Sequence, residues 1–495
     1  ETIPGAAEKV NYPFGFGLSY TSFETEVLGA EEKDGKIVVK ASVTNTGKRA
    51  GKEVVQLYYG APQGKLGKPV KELGAYRKTR LLQPGETQRV VLSFTVEDMA
   101  SFDDLGKVAK SAYVLEAGSY VFYVGNNVRD AKKLDFTYDL AEAEVTAQYT
   151  SLAAPHKLEK RLLADGTYEA LPTDNGPVEE EGLERQDKLT LEGFLPAVKA
   201  QERKSFGELM EAAKTNPNLM NVVEGKETLD EFVDKLPTEA LIHLLGGQPN
   251  TGVANTFGMG NLPEYGIPNI MTADGPAGLR IQPQCGVNTT AWPCATLLAC
   301  TWDPELIEEI GKAGGEEVKE NNIGIWLTPA VNIHRSPLCG RNFEYYSEDP
   351  LVAGKSGAAM VRGMQSEHIG ASVKHFCCNN KETNRKDSDS RVSERALREI
   401  YLKAFEIIVK EADPYTIMSS YNLINGVQAS ENKDLLTGIL RGEWDFKGMV
   451  TTDWWTHGEH YRETKAGNDL KMANGYEERV QEAFEKGYIT RDEIA

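Results

Sequence analysis

The chain has 495 residues, enough for two to four domains, and its 40% hydrophobic content is typical of a globular protein. Its formal charge of −19 argues against nucleic acid and anionic membrane surfaces as partners, because both repel an acidic protein. Neither a membrane span nor a signal peptide is predicted, since no apolar run is long enough and residues 1–20 lack a basic start and an apolar middle.

Residues 1–140 are predicted to form an all-β domain. Turns at Pro84-Gly85-Glu86 and Glu116-Ala117-Gly118 separate short runs that alternate apolar and polar residues, among them KIVVKASVTNTG, EVVQLYYG, TQRVVLSFTV and SYVFYVG. Short strands with turn signals between them indicate a β-sandwich. Its polar side chains lie mostly in turns, and none of them indicates catalysis.

Residues 141–225 have a different composition. Scattered proline and glycine precede the charged run VEEEGLERQDK, from Val178 to Lys188. This composition predicts a connecting segment, in which GELMEAAK forms a turn or two of helix. We assign no function to it.

Residues 226–495 alternate short apolar runs with helical patterns. LDEFVDKLPTEALIHLLGG has helical spacing, and SERALREIYLKAFEIIVKEADP is the clearest helix, capped by Ser393. Its predicted apolar stripe consists of Leu397, Ile400, Tyr401, Ala404, Phe405 and Ile408. Strand-like runs between the helices, such as IPNIMTAD, GASVKHF, YTIMSSY and GMVTTD, predict repeated βα units in a parallel barrel or a doubly wound sheet.

Four polar residues end strand-like runs: Asp274, His375, Tyr421 and Asp453. In a parallel barrel such ends converge on one face, where these enzymes place their chemistry, whereas an open sheet spreads them along an edge. Their convergence favours a TIM-type (β/α)8 barrel.

Asp453 is the candidate for covalent chemistry. A carboxylate at a strand end can attack an anomeric carbon, and Trp454 or Trp455 can stack on the apolar face of a sugar ring. The alternative is that Asp453 only caps the next helix.

Cationic residues lie in two nearby motifs. Arg341, in GRNFEYYSEDP, suits paired sugar hydroxyls or a carboxylate, or else forms a loop salt bridge with Glu344 or Glu348. Lys374 and His375, in VKHFCCNNKETNR, are hydrogen-bond donors for a neutral polyol. For His375 the alternative is a general base.

Two further residues complete the candidate set. Asp274, in DGPAGLR, either accepts hydrogen bonds from two sugar hydroxyls or only forms a turn. The Tyr421 phenol either steadies a nearby carboxylate or is an ordinary tyrosine at the rim.

Other chemistries lack their motifs. The chain has no phosphate loop, no GxSxG elbow and no HExxH, and its acids and histidines do not have the spacing of a metal site. No cofactor and no metal are expected. The six cysteines fit no zinc pattern, and the adjacent pair Cys377–Cys378 has poor geometry for a disulfide, so we expect reduced thiols in a cytoplasmic protein.

These motifs together resemble the β-glucosidase branch of glycoside hydrolase family 3 over residues 226–495. The resemblance rests on DGPAGLR, WPCATLLACTWD, GRNFEYYSEDP, KHFCCNNKETNR, SERALREIYLKAFE, MSSYNLINGV and GMVTTDWW, in that order. YPFGFGLSYTSFE, PVKELGAYRKTRLLQPGE and AGSYVFYVG resemble the family's fibronectin type III-like domain. That domain commonly follows the barrel, so its position before it implies a permuted member.

The resemblance implies a retaining β-glucosidase with Asp453 as the nucleophile. It also implies that Tyr421 lies against the nucleophile, that Trp454 lines the aglycone side, with Arg385 a further candidate at the mouth, and that the first sugar subsite contains Asp274, Arg341, Lys374 and His375. The aspartate at position 274 favours glucosides over xylosides as substrates.

The family's acid/base glutamate usually belongs to an α/β-sandwich domain, and no stretch of this chain resembles one. We therefore expect that domain to come from an upstream segment or from a second polypeptide. Glu382 and Glu459 are the alternatives within the chain.

Several rival functions stay open on the sequence alone. A β-xylosidase or a broad β-glycosidase is the first, and a sugar-binding module without catalysis is another. A β-N-acetylglucosaminidase is disfavoured because KHFCCNNKETNRKDSDSR lacks the histidine of that branch's His-Asp pair. A homo-oligomer is possible.

Overall fold

The computed structural model describes residues 5–163, 165–173, 176, 180–185 and 205–495. They form two compact units. Unit 1 consists of Glu1–Asp174, Cys300–Asp303 and Val392–Glu399, and unit 2 consists of Asn175–Ala299, Pro304–Arg391 and Ile400–Ala495.

Unit 1 contains the predicted β-sandwich. One antiparallel sheet has the strand order Phe23–Lys33, Lys36–Asn45 and Thr87–Thr95. A second antiparallel sheet has the order Glu72–Lys78, Val54–Gly60, Gly118–Gly125 and Lys132–Leu140. Smaller elements are the sheet Glu144–Gln148, Ala112–Leu115 and Ser101–Asp103, the hairpin Lys160–Leu162 and Tyr168–Ala170, and the short helices Ala6–Lys9 and Val96–Met99.

The sandwich core follows from the period-2 pattern in the sequence. Every second side chain of Lys36–Asn45 is buried, and this apolar face packs against Leu57, Tyr120 and Phe122 of the second sheet. The segment predicted as a linker, 141–225, supplies Glu144–Gln148 to unit 1 and the helices Phe206–Ala213 and Met220–Val223 to unit 2. Much of its acidic run lies outside the described residues.

Unit 2 is built on a six-stranded, mostly parallel sheet. The first two strands are antiparallel and each later neighbour is parallel. The strand order is Gly258–Leu262, Ile267–Ala273, Ile325–Trp326, Gly370–Phe376, Thr416–Ser419 and Met449–Thr452. A small three-stranded sheet contains Asp389–Ser390, Leu423–Ile424 and Val427–Gln428.

Isolated β-bridges extend this sheet and connect its last strand back to its first. Gln248 bridges Gly258, Gly246 bridges Lys471, and Leu470 bridges Thr451 of the last strand. The predicted barrel of eight parallel strands is thus confirmed only in part. The sheet is curled and mostly parallel, but one strand runs antiparallel and two connecting segments pair through single bridges.

Helices follow the strands along unit 2. Gly311 and Gly363 let two long helices approach closely, since a Cβ on either would lie 2.6 or 2.2 Å from a backbone oxygen of the other helix. The α-helices that the structure describes from residue 229 onward are Leu229–Lys235, Thr238–Leu244, Ala295–Ala299, Pro304–Glu320, Pro350–Ser366, Glu394–Ala396, Lys403–Ala412, His460–Ala466, Glu477–Glu485 and Arg491–Ile494. Short 3-10 turns are Pro263–Tyr265, Pro283–Cys285, Asn342–Glu344 and Ala429–Glu431, and π-helical segments are Leu397–Tyr401 and Asp434–Glu443.

Two predicted helices differ in detail. LDEFVDKLPTEALIHLLGG is two helices, because Pro237 begins a new one. Ser393 caps its helix as predicted, with Oγ accepting a hydrogen bond from Ala396 N at 3.3 Å. The predicted stripe is wrong at Ile400, which is 39% exposed. The π segment Leu397–Tyr401 adds a residue to the turn and moves Ile400 off the buried face.

Two whole-chain features bear on the predictions. All six cysteines lie among the described residues, and none of them forms a disulfide. Among the residues that the structure describes, no helix combines the length and the apolar character needed to cross a bilayer.

Candidate active site

The strand ends of unit 2 place the predicted polar residues on one edge of the sheet. Asp274 directly follows Ile267–Ala273, and Asp453 directly follows Met449–Thr452. Lys374 and His375 lie near the end of Gly370–Phe376. Because these strands run parallel, their carboxyl ends meet at the same edge.

Asp453 is buried at this edge, directly after the last strand of the six. Its Oδ1 accepts a hydrogen bond from its neighbour Trp454 N at 2.7 Å, and Oδ2 lies 3.7 Å from His375 Nε2. The alternative that Asp453 caps the next helix is wrong, since that helix begins at His460 and its N-cap is Glu459.

Burial raises the pKa of the Asp453 carboxyl above its ordinary value. The charge of Arg341, the Trp454 N–H and the charges of Lys374 and Arg385 act in the opposite direction. The carboxyl group is therefore buried, with three cationic side chains near enough to act on its pKa.

Lys374 lies between two carboxylates. Its Nζ is 3.8 Å from Asp274 Oδ1 and 3.9 Å from Glu344 Oε2. Asp274 is held by Asn255, which donates to Oδ2 at 3.2 Å and accepts from the Asp274 N–H at 3.0 Å. Asp274 therefore has more contacts than a turn residue needs.

Arg341 forms the salt bridge that is one of its two sequence alternatives. Its Nε donates to Glu344 Oε1, which is the predicted loop salt bridge. Burial lowers the pKa of the guanidinium, but the charge and hydrogen bond of Glu344 together with Tyr345 and Asp453 outweigh it, so the pKa is raised. Asp453 contributes to the same shift, so Arg341 is near enough to interact electrostatically with that carboxylate.

His375 is a neutral, fixed imidazole. Burial lowers its pKa well below the usual range, and the charges of Arg341 and Lys374 lower it further. Its Nδ1 lies 3.3 Å from the Tyr345 hydroxyl, and Asn332 brackets its backbone with two hydrogen bonds of 2.9 Å. The contact with Asp453 is therefore not an ion pair.

Aromatic side chains line the rest of the site. Burial, and then the charge of Asp453, raise the pKa of the Tyr421 phenol, whose ring lies 4.6 Å from Arg385 Cζ. Trp454 Nε1 donates to Thr256 Oγ1 at 2.8 Å, which fixes the indole. The structure therefore places Tyr421, Trp454 and Arg385 with the predicted set.

Both in-chain candidates for a proton donor already have partners. Glu382 accepts hydrogen bonds from Asn379 at 3.2 Å and Arg385 at 2.9 Å. Glu459 Oε2 accepts from Arg479 at 3.3 and 3.2 Å. These donors favour an acceptor carboxylate rather than a group that gives up a proton.

Sequence reasoning missed Glu344, Asn255 and Thr256 as site residues. Glu344 was considered only as a salt-bridge partner, although its spacing of three from Arg341 within GRNFE was a usable signal. Asn255 and Thr256 lie in a glycine-rich loop without periodicity, and nothing in the sequence distinguished them. No cluster of three or more potential metal ligands occurs in the described ranges.

Comparisons with known proteins agree on both parts of the chain. Residues 260–495 match the "Glycosyl hydrolase family 3 N terminal domain", and residues 53–128 match the "Fibronectin type III-like domain". A β-glucosidase A of Butyrivibrio fibrisolvens is 57% identical over 517 residues, which cover all of this chain and 62% of that protein. A β-glucosidase of Ruminococcus albus is 40% identical, over 91% of this chain and 47% of its own length.

A solved structure is also similar over nearly the whole chain. The β-glucosidase of Paenibacillus barengoltzii has a TM-score of 0.85 and 41% identity, covering 99% of this chain and 56% of that one. The chain thus spans about half to three fifths of the length of these relatives.

Proposed function

Because the chain carries a glycosyl hydrolase family 3 N terminal domain over residues 260–495, we propose that it contains the nucleophile and the first sugar subsite of a retaining β-glucosidase. The substrate is a terminal, nonreducing β-D-glucosyl residue. The observation that carries the proposal is the buried Asp453 carboxyl, whose Oδ2 has no hydrogen-bond partner among the described residues and lies 3.7 Å from His375 Nε2, with three cationic side chains acting on its pKa.

In the first step the Asp453 carboxylate attacks the anomeric carbon and the glycosidic C–O bond breaks. A glycosyl ester on Asp453 forms, and the leaving oxygen takes a proton from a general acid. In the second step water attacks the same carbon, the ester bond breaks, and the water's proton passes to the group that gave up its own.

The surrounding residues hold the sugar. Asp274 accepts hydrogen bonds from hydroxyl groups, while Arg341, Lys374 and neutral His375 donate to them. The Tyr421 phenol steadies the Asp453 carboxylate, and Trp454 packs against the aglycone side. Arg385, stacked on Tyr421, lies at the mouth.

We further propose that the acid/base glutamate belongs to an α/β-sandwich domain supplied by an upstream segment or by a second polypeptide. Glu382 and Glu459 are both engaged by arginine, and the relatives are considerably longer than this chain. The fibronectin type III-like match precedes the family 3 match, which supports a permuted domain order.

The test is covalent trapping with 2,4-dinitrophenyl 2-deoxy-2-fluoro-β-D-glucoside. Its leaving group departs without protonation, so the label forms without the general acid, and peptide mapping should place it on Asp453. Asp453→Asn should abolish labelling. Asp469→Asn is the control, because Asp469 is another aspartate of unit 2 with a raised pKa, although its side chain is 47% exposed and paired with Arg441.

Other outcomes would select other functions. A label on any peptide lacking Asp453 would overturn the nucleophile assignment. Faster labelling by the corresponding β-xyloside would indicate a β-xylosidase. Glucose binding in calorimetry without any label would indicate a sugar-binding module.

A further inference from the structure

Glu344 is a buried carboxylate in the site that the proposed mechanism does not use. It ends the 3-10 turn Asn342–Glu344 and is 3% exposed. Oε1 accepts the hydrogen bond from Arg341 Nε, and Oε2 has no hydrogen-bond partner among the described residues. A buried acceptor without a partner is costly, so its retention calls for a role.

The distances around Lys374 indicate what that role is. Its ammonium group lies 3.9 Å from Glu344 Oε2 and 3.8 Å from Asp274 Oδ1, both beyond hydrogen-bond length. Two carboxylates therefore hold the ammonium group by charge and leave its protons available for sugar hydroxyls.

The same carboxylate affects the balance of charge around the nucleophile. Arg341, Lys374 and Arg385 all act on Asp453. Without a buried counter-charge, Arg341 and Lys374 would be drawn onto Asp453, where a direct ion pair would occupy the attacking oxygens.

We propose that Glu344 is the positioning residue of this site, which holds Arg341 and Lys374 at the sugar hydroxyls and keeps both cations off the Asp453 carboxylate. The inference rests on the proposed function, since it assumes that Asp453 attacks a bound glucosyl residue.

Glu344→Gln tests the charge, because the amide keeps the shape and an acceptor for Arg341. We expect the labelling efficiency with the dinitrophenyl fluoroglucoside to fall about 10- to 100-fold. Losses of this size are typical when a group that orients the ligands of a metal site is removed from other proteins. The acid limb of the labelling rate should move to lower pH, because removing a negative charge favours ionisation of Asp453.

Two variants make the test specific. Glu348→Gln removes the same charge from an exposed position four residues away and should match the unaltered protein in rate and acid limb. Glu344→Asp keeps the charge on a shorter arm, so it should keep the acid limb while losing affinity. It also answers the question if Glu344→Gln does not fold.

The outcomes separate this inference from the proposed function. Labelling of folded Glu344→Gln with unchanged efficiency and acid limb would overturn the positioning role alone. If Glu344→Gln does not fold, a displaced acid limb in Glu344→Asp would overturn it. Absence of label on the unaltered protein would overturn the proposed function and this inference with it.

Discussion

Asp453 illustrates how a buried carboxyl group costs stability. Burial raises its pKa, so ionising it in the folded protein is harder than in the unfolded chain. The stability contributed by this group is complete below its ordinary pKa and is lost as pH rises through the raised one. Ionisation of the buried Asp453 carboxyl therefore destabilises the fold.

Asp453→Asn should accordingly stabilise the protein at pH 7 while abolishing labelling. The amide removes the buried charge, and we expect the melting temperature of unit 2 to rise by about 2–4 °C. Differential scanning calorimetry at a series of pH values checks this, because the gain should shrink as the pH falls. A lower melting temperature at pH 7 would show that attraction between the Asp453 carboxylate and the nearby cations stabilises the fold more than burial of the charge destabilises it.

The residues found from the sequence and those missed differ in one physical respect. Apolar runs in the sequence mark the strands, and four of the predicted residues lie at or near the ends of those strands: Asp274, His375, Tyr421 and Asp453. Parallel pairing then brings these strand ends together. For Glu344 the spacing from Arg341 indicates a salt bridge, and its contacts across the fold with Lys374 add that it lies at the site. A salt bridge and a site residue look the same in sequence, since the difference lies in what surrounds them.

At the scale of elements, the helix after Ser393 shows the limit of helical periodicity. The α-helical spacing correctly assigned Leu397, Phe405 and Ile408 to the buried face. Ile400 was assigned wrongly because hydrogen-bond geometry, and not composition, inserts the π turn. The antiparallel strand Gly258–Leu262 was not predicted, since its two glycines and asparagine give no alternating apolar pattern.

A pair of substitutions in this segment compares the cost of truncating a buried side chain with the cost of truncating an exposed one. Phe405 is fully buried, and its ring centroid lies 5.2 Å from that of Phe376, the neighbour of His375. Phe405→Ala should cost about 3–5 kcal/mol in the free energy of unfolding, because it leaves a cavity. Ile400→Ala should cost less than about 1 kcal/mol. Urea unfolding of both variants checks this, and equal costs would contradict the register described above.

At the scale of the whole molecule, the proposed division of labour predicts a dependence on the leaving group. This chain alone should release dinitrophenolate from 2,4-dinitrophenyl β-D-glucoside, since that anion departs unprotonated. It should leave cellobiose intact, because a sugar alkoxide needs the general acid. Chromatographic assays of both substrates measure the contrast.

Azide provides the control for this prediction. Without a general base, the glucosyl ester on Asp453 should react slowly with water, and azide should accelerate release and yield β-glucosyl azide. Turnover of cellobiose by this chain without another polypeptide would contradict the external acid/base.

The closed ring of unit 2 also sets the smallest fragment that would keep its backbone pairing complete. The family match starts at residue 260, but Gly246 and Gln248 join Lys471 to Gly258 and so complete the circle of backbone pairing. A fragment that begins at residue 260 would lose this pairing and leave two exposed strand edges. Exposed edges tend to pair with strands of neighbouring copies. An engineered fragment should therefore begin upstream of Leu229, the first residue of the two helices that precede Gly246 and Gln248.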